Sequence, residues 1–564
     1  MKTEKQNTNN WVANRIDDLV GVFSPIAAAK RKYFRFIAQT MFGSYQGALG
    51  GRLRGSWIAS SGSADEDLLR DIAKLRERSR DLIRNDGIAS GAMDTIITNI
   101  IGSGISPQSR IDKEILKINE DYADKLQKQF EKIWQRWVPY ADAANRLNFY
   151  EIEELSERSR FTNGESIIVP LRIPAAKRKR PYSIALQSVE ADRLATPSDL
   201  YSNRKIRYGV EIGEYGEPVA YYIRNTHPGD YFYSKSFDNS SQNYIRYPAL
   251  NDLGDPNIFH LYHLKRSGQT RGEPFFTPVI TLFQDRNKYM EAEIMAARVA
   301  ACFAAFVKKE MANEYAMGQS EKDEEGKQLE SIEPALIQYL EPGEDVSFAN
   351  PNRPGNNFGI FMERILRDIS SGLNLPYEIL SKDFSKSNYS NTRAALLEAR
   401  RFFMMQQRFI ADRLGKPVFF ALIEEAYLLG ELPILDFYQN REAYVRSRWI
   451  APGWQWIDPQ NEVTAAADSV NNNFSTLAEE AADRGQDYEE ILEQRAREQK
   501  KIKELEAKYG IKLTPQQPPI IKQQLPGKKQ PGDTAPGDQP AGPDAQQPGE
   551  PAPGDQPAGG NQNE

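Results

Sequence analysis

The chain is short of cysteine, histidine and long apolar runs, and each shortage removes a class of answers. Cys302 is the only cysteine in 564 residues. No disulfide can form within one chain, which fits a reducing compartment. Cys302 sits in an Ala-rich helical run and reads as a small buried hydrophobe. The three histidines are His227, His260 and His263. In HLYH two rings stand at i and i+3, on opposite faces of a strand. With no second His or Cys cluster, no metal site is expected. The most hydrophobic stretch, 295–307, contains Arg298 and falls short of the ~20 residues that span a bilayer. The opening MKTEKQNTNN lacks the apolar segment of a signal peptide. These features predict a soluble protein made in the cytoplasm. The chain also has neither a G-x-x-x-x-G-K-[ST] phosphate loop nor a G-x-S-x-G elbow. It offers no catalytic residue set and implies no cofactor.

An excess of base is missing too. Lys plus Arg number 72 against 78 Asp plus Glu, a formal net charge of −6. Tight, sequence-specific nucleic-acid binders show the opposite imbalance. The balance still admits a protein that surrounds DNA without gripping it. At this length two or three domains are expected.

Periodicity divides the chain. Residues 65–101 read as helix interrupted near 85–87, with Gly102 and Gly104 at the end. A second helix carries Leu126, Phe130, Ile133, Trp134 and Trp137 at spacings of three and four. Tryptophans at that spacing read as packing before base stacking. From Ser166 the period becomes two. SIIVPLRI, YSIALQSV, IRYGVEI, PVAYYIR and NIFHLYHL read as strands, and GEYG at 213–216 joins two of them as a hairpin. Helices followed by strands predict an α+β domain over 65–276. Residues 277–310 read as one long helix, apolar over more than one stripe. It therefore needs partners on several sides, in a deep core or between neighbours in a ring. Residues 311–356 turn polar, with a strand-like QYLEP. The tail repeats APGDQPAG and is too polar to pack.

The most informative segment is 361–428. A helix, FMERILRDISSGL, leads into the polar loop NLPYEILSKDFSKSNYS and then a long helix, NTRAALLEARRFFMMQQRFIADRL. Pro376 is expected to end the first helix. Ser390 or Asn391 is expected to cap the second. Leu396, Phe403 and Ile410, with Leu397 and Met404 beside them, predict a wide apolar face. Pro417 is expected to break the pattern before another apolar helix, 418–429. A turn at 449–458 and a charged helix ending near Tyr509 follow. Composition alone reads the loop with Lys382 and Lys386 as a solvated connector.

LPYEILSKDFSKSNYSNTRAALLEARRFF closely resembles the portal proteins of lambda-type tailed bacteriophages. RERSRDLIRNDGIASGAMDTIITNIIGSGI, TNGESIIVPL, LQSVEADRL, IRYGVEIGEYGEPVAYYI, HLYHLKRSGQTRGEPFFTPVI and WIAPGWQWIDPQNEVTAAADS are similar to further elements of that family, in family order, over roughly residues 55–510. The resemblance implies an α+β portal-type subunit with a mixed wing, a helical stem, a small clip and a long channel-proximal helix. Its map is a loose segment 1–64, wing 65–276, stem helix 277–310, clip 311–356, second stem helix 357–375, channel loop 376–390, a helical region 391–510 and a disordered tail 511–564. It implies a virion protein, a dodecameric ring at a capsid vertex, passing double-stranded DNA. Terminase, the major capsid and scaffolding proteins and head–tail connectors are its implied partners. Lys382, Lys386, Asn388 and Arg393 are the implied channel contacts. A metal-dependent DNA-processing enzyme and a head–tail adaptor remain as alternatives.

Overall fold

A computed structural model describes residues 61–174, 179–230, 240–307, 336–339, 358–386, 388–454 and 459–512, with the backbone alone for 299–307 and 336–339. The expectations for the Cys302 side chain, for 1–60, for most of 311–356 and for 513–564 lie outside these residues. The chain divides into two units, Met1–Glu493 and Gln494–Glu564. The described part of the second is the end of a helix, Tyr488–Tyr509, and three residues beyond it.

The described part of the first unit opens with helices Ala64–Leu69, Ile72–Asn85 and Gly87–Ile100. The interruption falls at Asp86, whose carboxylate accepts from the amides of Ile88 and Ala89 and so opens the third helix. Gly102 and Gly104 follow in the left-handed region. The amphipathic helix Glu120–Trp137 buries Leu126, Phe130, Ile133, Trp134 and Trp137. Trp134 packs against Trp137, Phe149 and Trp449, with ring centroids 5.2, 4.7 and 5.6 Å away. These tryptophans are core, not stacking platforms. A helix the periodicity does not announce, Phe149–Asn163, starts at a capping box formed by Asn148 and Glu151.

The strands form separate sheets. β1 (Ser106–Ser109) pairs antiparallel with β11 (Ser447–Ile450), joining segments more than 330 residues apart. β2 (Glu165–Arg172) is the centre of a three-stranded sheet, between β3 (Ile184–Val189) and β8 (Phe259–Tyr262). β4 (Ile206–Arg207), β5 (Val210–Ile212), β6 (Pro218–Arg224) and β7 (Tyr244–Pro248) make a four-stranded antiparallel sheet, with GEYG turning β5 into β6. β2 shows why alternation matters here. Ile168 faces the large core shared with the helices, while Ile167 and Val169 face a smaller core with Val210, Tyr221 and Ile223 of the second sheet. One strand thus fastens two layers of a mixed helix and sheet fold, and the larger core runs on past residue 276 to Tyr444.

Two expectations need correction. The segment 277–310 is not one helix. A short turn at Thr277–Val279 leads into the helix Ile280–Cys302, and then β9 (Phe303–Val307) pairs parallel with β10 (Leu336–Tyr339). FAAFV carries aromatic and β-branched residues that suit a strand once LIQY supplies a ladder, so pairing overrides helix propensity. Pro417 does not break the chain either. The helix Tyr389–Ile410 continues through a π-helical turn, Ala411–Gly415, into the helix Lys416–Leu428. The proline stands just past the π turn, and the wider bonding of that turn, with the Lys416 amide donating to the Ala411 carbonyl, accommodates a residue without an N–H.

Candidate nucleic-acid interface

The helix Phe358–Gly372 ends four residues before the proline expected to stop it. Asn374, at φ 51°, reverses the chain. Pro376 instead opens a short helix, Tyr377–Ser381, because its fixed φ suits a helix start. Leu380 of that helix is buried in the main core, and Ile379 packs against it. The base of the loop is therefore anchored. Beyond it, the described residues 382–386 and 388 are all exposed.

The tip is ordered by local bonds. Lys382 ends the short helix in the left-handed region, at φ 56°. Ser381 accepts from the Asp383 amide through its Oγ, and Asp383 accepts from the Ser385 amide at 3.0 Å. Hydrogen bonding from Ser385 lowers the Asp383 pKa, so Asp383 serves the turn and does not pair with Lys382. Asn388 caps the long helix by accepting from the Asn391 amide at 2.9 Å. The cap thus lies two or three residues before the Ser390 or Asn391 expected for it, because an Asx side chain reaches forward to the third residue of the helix.

Lys386 is not loose. Its Nζ donates to Oε2 of Glu363, on the preceding helix, at 2.7 Å. Arg367 donates to Glu363 as well, and its guanidinium lies 4.5 Å from the centroid of the Tyr377 ring. The bond to Glu363 raises the Lys386 pKa, and the bonds from Lys386 and Arg367 lower that of Glu363. One carboxylate thus ties the loop tip to the helix before it. Sequence reading passes over Glu363, although its spacing of four from Arg367 marks an acid–base pair on one helix face. Among the described residues Lys382 has no ion pair. Arg393 lies 4.0 Å from Glu462.

The long helix buries Phe403 and Ile410 as expected, but Leu397 and Met404 are half exposed, 46% and 49%. The apolar face is narrower than the sequence suggests. Its outer side carries Leu397, Met404 and Met405 among Arg401 and Arg408. Of the histidines, His260 donates to Glu165 and His263 meets Gln406 at 2.8 Å. Among the described residues, no three His, Cys, Asp or Glu side chains form a metal-holding group, and no helix is long and apolar enough to cross a membrane.

Comparison with known proteins follows the same segments. The model for the lambda family of phage portal proteins matches residues 50–407. The portal protein of Escherichia phage N15 is 27% identical over 480 residues, covering 80% of this chain and 88% of its own length. Portal protein B of Escherichia phage lambda is 26% identical over 477 residues, covering 80% and 87%. A chain from the neck of an empty GTA particle, computed with C6 symmetry, aligns at a TM-score of 0.39 and 14% identity over 74% of this chain and 94% of that one.

Proposed function

This chain belongs to the lambda family of phage portal proteins, and on that premise we propose that twelve copies close into a ring at one vertex of the phage head, with double-stranded DNA passing through the central hole. The subunit is a structural component of the virion and does no catalysis. It assembles in the host cytoplasm, where the head shell forms with the major capsid and scaffolding proteins. The ring docks the terminase during packaging and the head–tail connectors afterwards.

The observation that carries the ring is an unfilled apolar surface on two helices. Ile294 and Met295 of Ile280–Cys302 are 45% and 58% exposed, and Ile360 and Phe361 of Phe358–Gly372 are 70% and 48% exposed. Side chains of that size, grouped on stem helices, suit burial against a neighbour. Identical subunits meeting head to tail close into a ring when the rotation allows. In this reading 65–276 is the wing, the two helices are the stem, 311–356 is the clip and 376–390 faces the channel.

The charge balance suits transport. A channel dense in Lys and Arg would hold DNA through counterion release and resist sliding. A few cations on loop tips, Lys382 and Lys386 with Arg393 and Asn388 nearby, touch phosphates without reading sequence. Electron microscopy of the purified protein tests the reading, together with mass by light scattering. The expected outcome is a ring with a central hole and about twelve times the 64.0 kDa of one chain. A stable monomer at micromolar concentration overturns it.

A further inference from the structure

A cleft of about 550 Å³, which the channel reading does not use, opens beside the helix Lys416–Leu428. Its other walls are β2, β3 and the segments 251–259 and 442–447. Much of the lining is apolar, with Pro170, Ile184, Phe259, Pro417, Phe420 and Ala421. One side of the Phe420 ring is already covered by the guanidinium of Arg441, 4.9 Å from its centroid.

Charge accounting gives the cleft a sign. Three cations line it, and each has a carboxylate of its own. Arg172 pairs with Glu425 at 2.6 Å, Lys416 with Asp412 at 2.6 Å, and Arg446 with Asp112 at 2.9 Å. Among the lining acids, Asp255 is engaged by Arg441 at 3.4 Å. Two carboxylates remain, Glu424 and Glu442. Glu442 is exposed and has no ion pair among the described residues. Glu424 is only 8% exposed, and its Oε1 has no hydrogen-bond partner. Tyr438 lies close enough to interact with its carboxylate. A buried carboxylate oxygen without a donor is costly. An anion entering this cleft meets like charge. A neutral apolar molecule leaves Glu424 as it is. A compact cation on an aliphatic stem answers both features, with its head near the two carboxylates that lack an ion pair, Glu424 and Glu442, and its stem along the apolar wall.

We propose that this cleft, lined by Glu424 and Glu442 with Phe259, Phe420 and Ala421, binds a primary alkylammonium group. The same chemistry is carried by a free aliphatic diamine and by a lysine side chain. Isothermal titration of the full chain with 1,4-diaminobutane, and separately with Nα-acetyl-lysine methylamide, tests the site and distinguishes the sources. 1-Butanol serves as the uncharged control. Saturable binding of at least one amine, at one site per chain, is expected. Glu424→Gln keeps the shape and the acceptor for Tyr438 but removes the charge. It should weaken binding about tenfold or more, the factor for losing a charge-assisted bond. Ala421→Trp fills the cleft without replacing a carboxylate and should abolish binding. This variant keeps the proposal falsifiable if Glu424→Gln fails to fold.

Tighter binding of the diamine marks the site as one for a free polyvalent amine. Binding of the lysine amide at least as tight marks it as the seat of a side chain. No saturable binding by either amine overturns the proposal. So does equal affinity in wild type and Ala421→Trp, or binding of 1-butanol as tight as the amines. The readout is binding by the chain itself, so it is separate from the test of ring formation.

Discussion

Arg76 reaches Glu165 at 2.8 Å inside the molecule, and Lys386 reaches Glu363 at 2.7 Å on its surface. The first pair is 4% and 0% exposed, while the lysine of the second is 75% exposed. Their geometry is almost the same, but their surroundings differ. Glu165 also accepts from Nε of Arg271, His260 and the Gly272 amide, at 2.9 to 3.0 Å. The buried carboxylate therefore joins the helix Ile72–Asn85, β2, β8 and the segment after β8. Gly164 makes room for this junction. At φ +89°, a Cβ there would stand 2.4 Å from the Gly272 oxygen, so only glycine lets the two backbones approach. A buried pair commits structure, since neither partner can find water. An exposed pair exchanges with water and salt at little cost, and can give up a partner to a passing phosphate.

That contrast breaks first if Glu165→Ala is tolerated. The substitution leaves Arg271 buried without a counter-charge and Arg76 with only Asp192, 3.6 Å away, a change that costs about 3–5 kcal/mol. Urea unfolding should show a large loss of midpoint, or the variant should fail to accumulate as soluble protein. A midpoint like wild type would show that the network is ornamental.

Acid gives the next largest effect, and its sign differs from group to group. Burial alone would raise the Glu165 carboxyl, but Arg271, Arg76 and His260 outweigh it and hold it well below the usual range. Its contribution is present above the ordinary carboxylate pKa and is lost only as pH falls through the depressed value. His260 responds earlier. Burial lowers its pKa, against the pull of Glu165, so folding favours the neutral ring. Stability should therefore fall as pH drops below the ordinary His value of about 6.5. Urea midpoints between pH 7.5 and 5.5 measure this, and His260→Gln should flatten the slope. Burial drives the Glu131 carboxyl the other way, up to about 7, with Asp487, Glu489 and Glu490 adding to the shift and the Ser109 amide opposing it. Its penalty is absent below about pH 4.5 and grows as pH rises towards 7. Glu131→Gln keeps an acceptor for Ser109 and should stabilise by about 1 kcal/mol at pH 8, after allowance for partial exposure. At pH 5 it should change little, and equal effects at both pH values would refute the assignment.

The two regions were not equally legible in the sequence. The loop and its flanking helices are local features, so Lys382 and Lys386 stand out from spacing and turn residues, while the short helix Tyr377–Ser381 is hidden inside what reads as a polar loop. The position of the cap at Asn388 is lost by two or three residues, because several Asx and Ser side chains compete for that role. The Glu165 network is invisible, since Arg76, Glu165 and Arg271 lie 89 and 106 residues apart. β1 and β11 escape for the same reason: SPQS and SRWI have no strand pattern and become strands only by meeting. The exposure of Leu397 and Met404 is a further loss. Heptad spacing shows which residues share a face, but not how wide a face the rest of the chain will cover.

The smallest effect on stability, and the sharpest test of the surface pair, concerns the loop tip. Replacing Lys382 and Lys386 with Ala should leave the thermal midpoint and ring formation unchanged, since both side chains stand clear of the core. The defect should appear in DNA retention by assembled heads, and should grow under ionic conditions in which the remaining contacts are already screened. Glu363→Gln separates the lysine from its tether. It removes the charge that competes with phosphate for Lys386, while leaving the helix and the loop turn intact. If Lys386 exchanges between Glu363 and DNA, this variant should hold DNA more firmly and slow its passage. The gain should vanish when Lys386→Ala is added, because the two changes act on one charge. An increase that persists without Lys386 would mean that Glu363 repels DNA directly. Heads carrying the double lysine variant with wild-type DNA content and no leakage would place the loop away from the channel, and the exposed pair would then be an ordinary surface salt bridge.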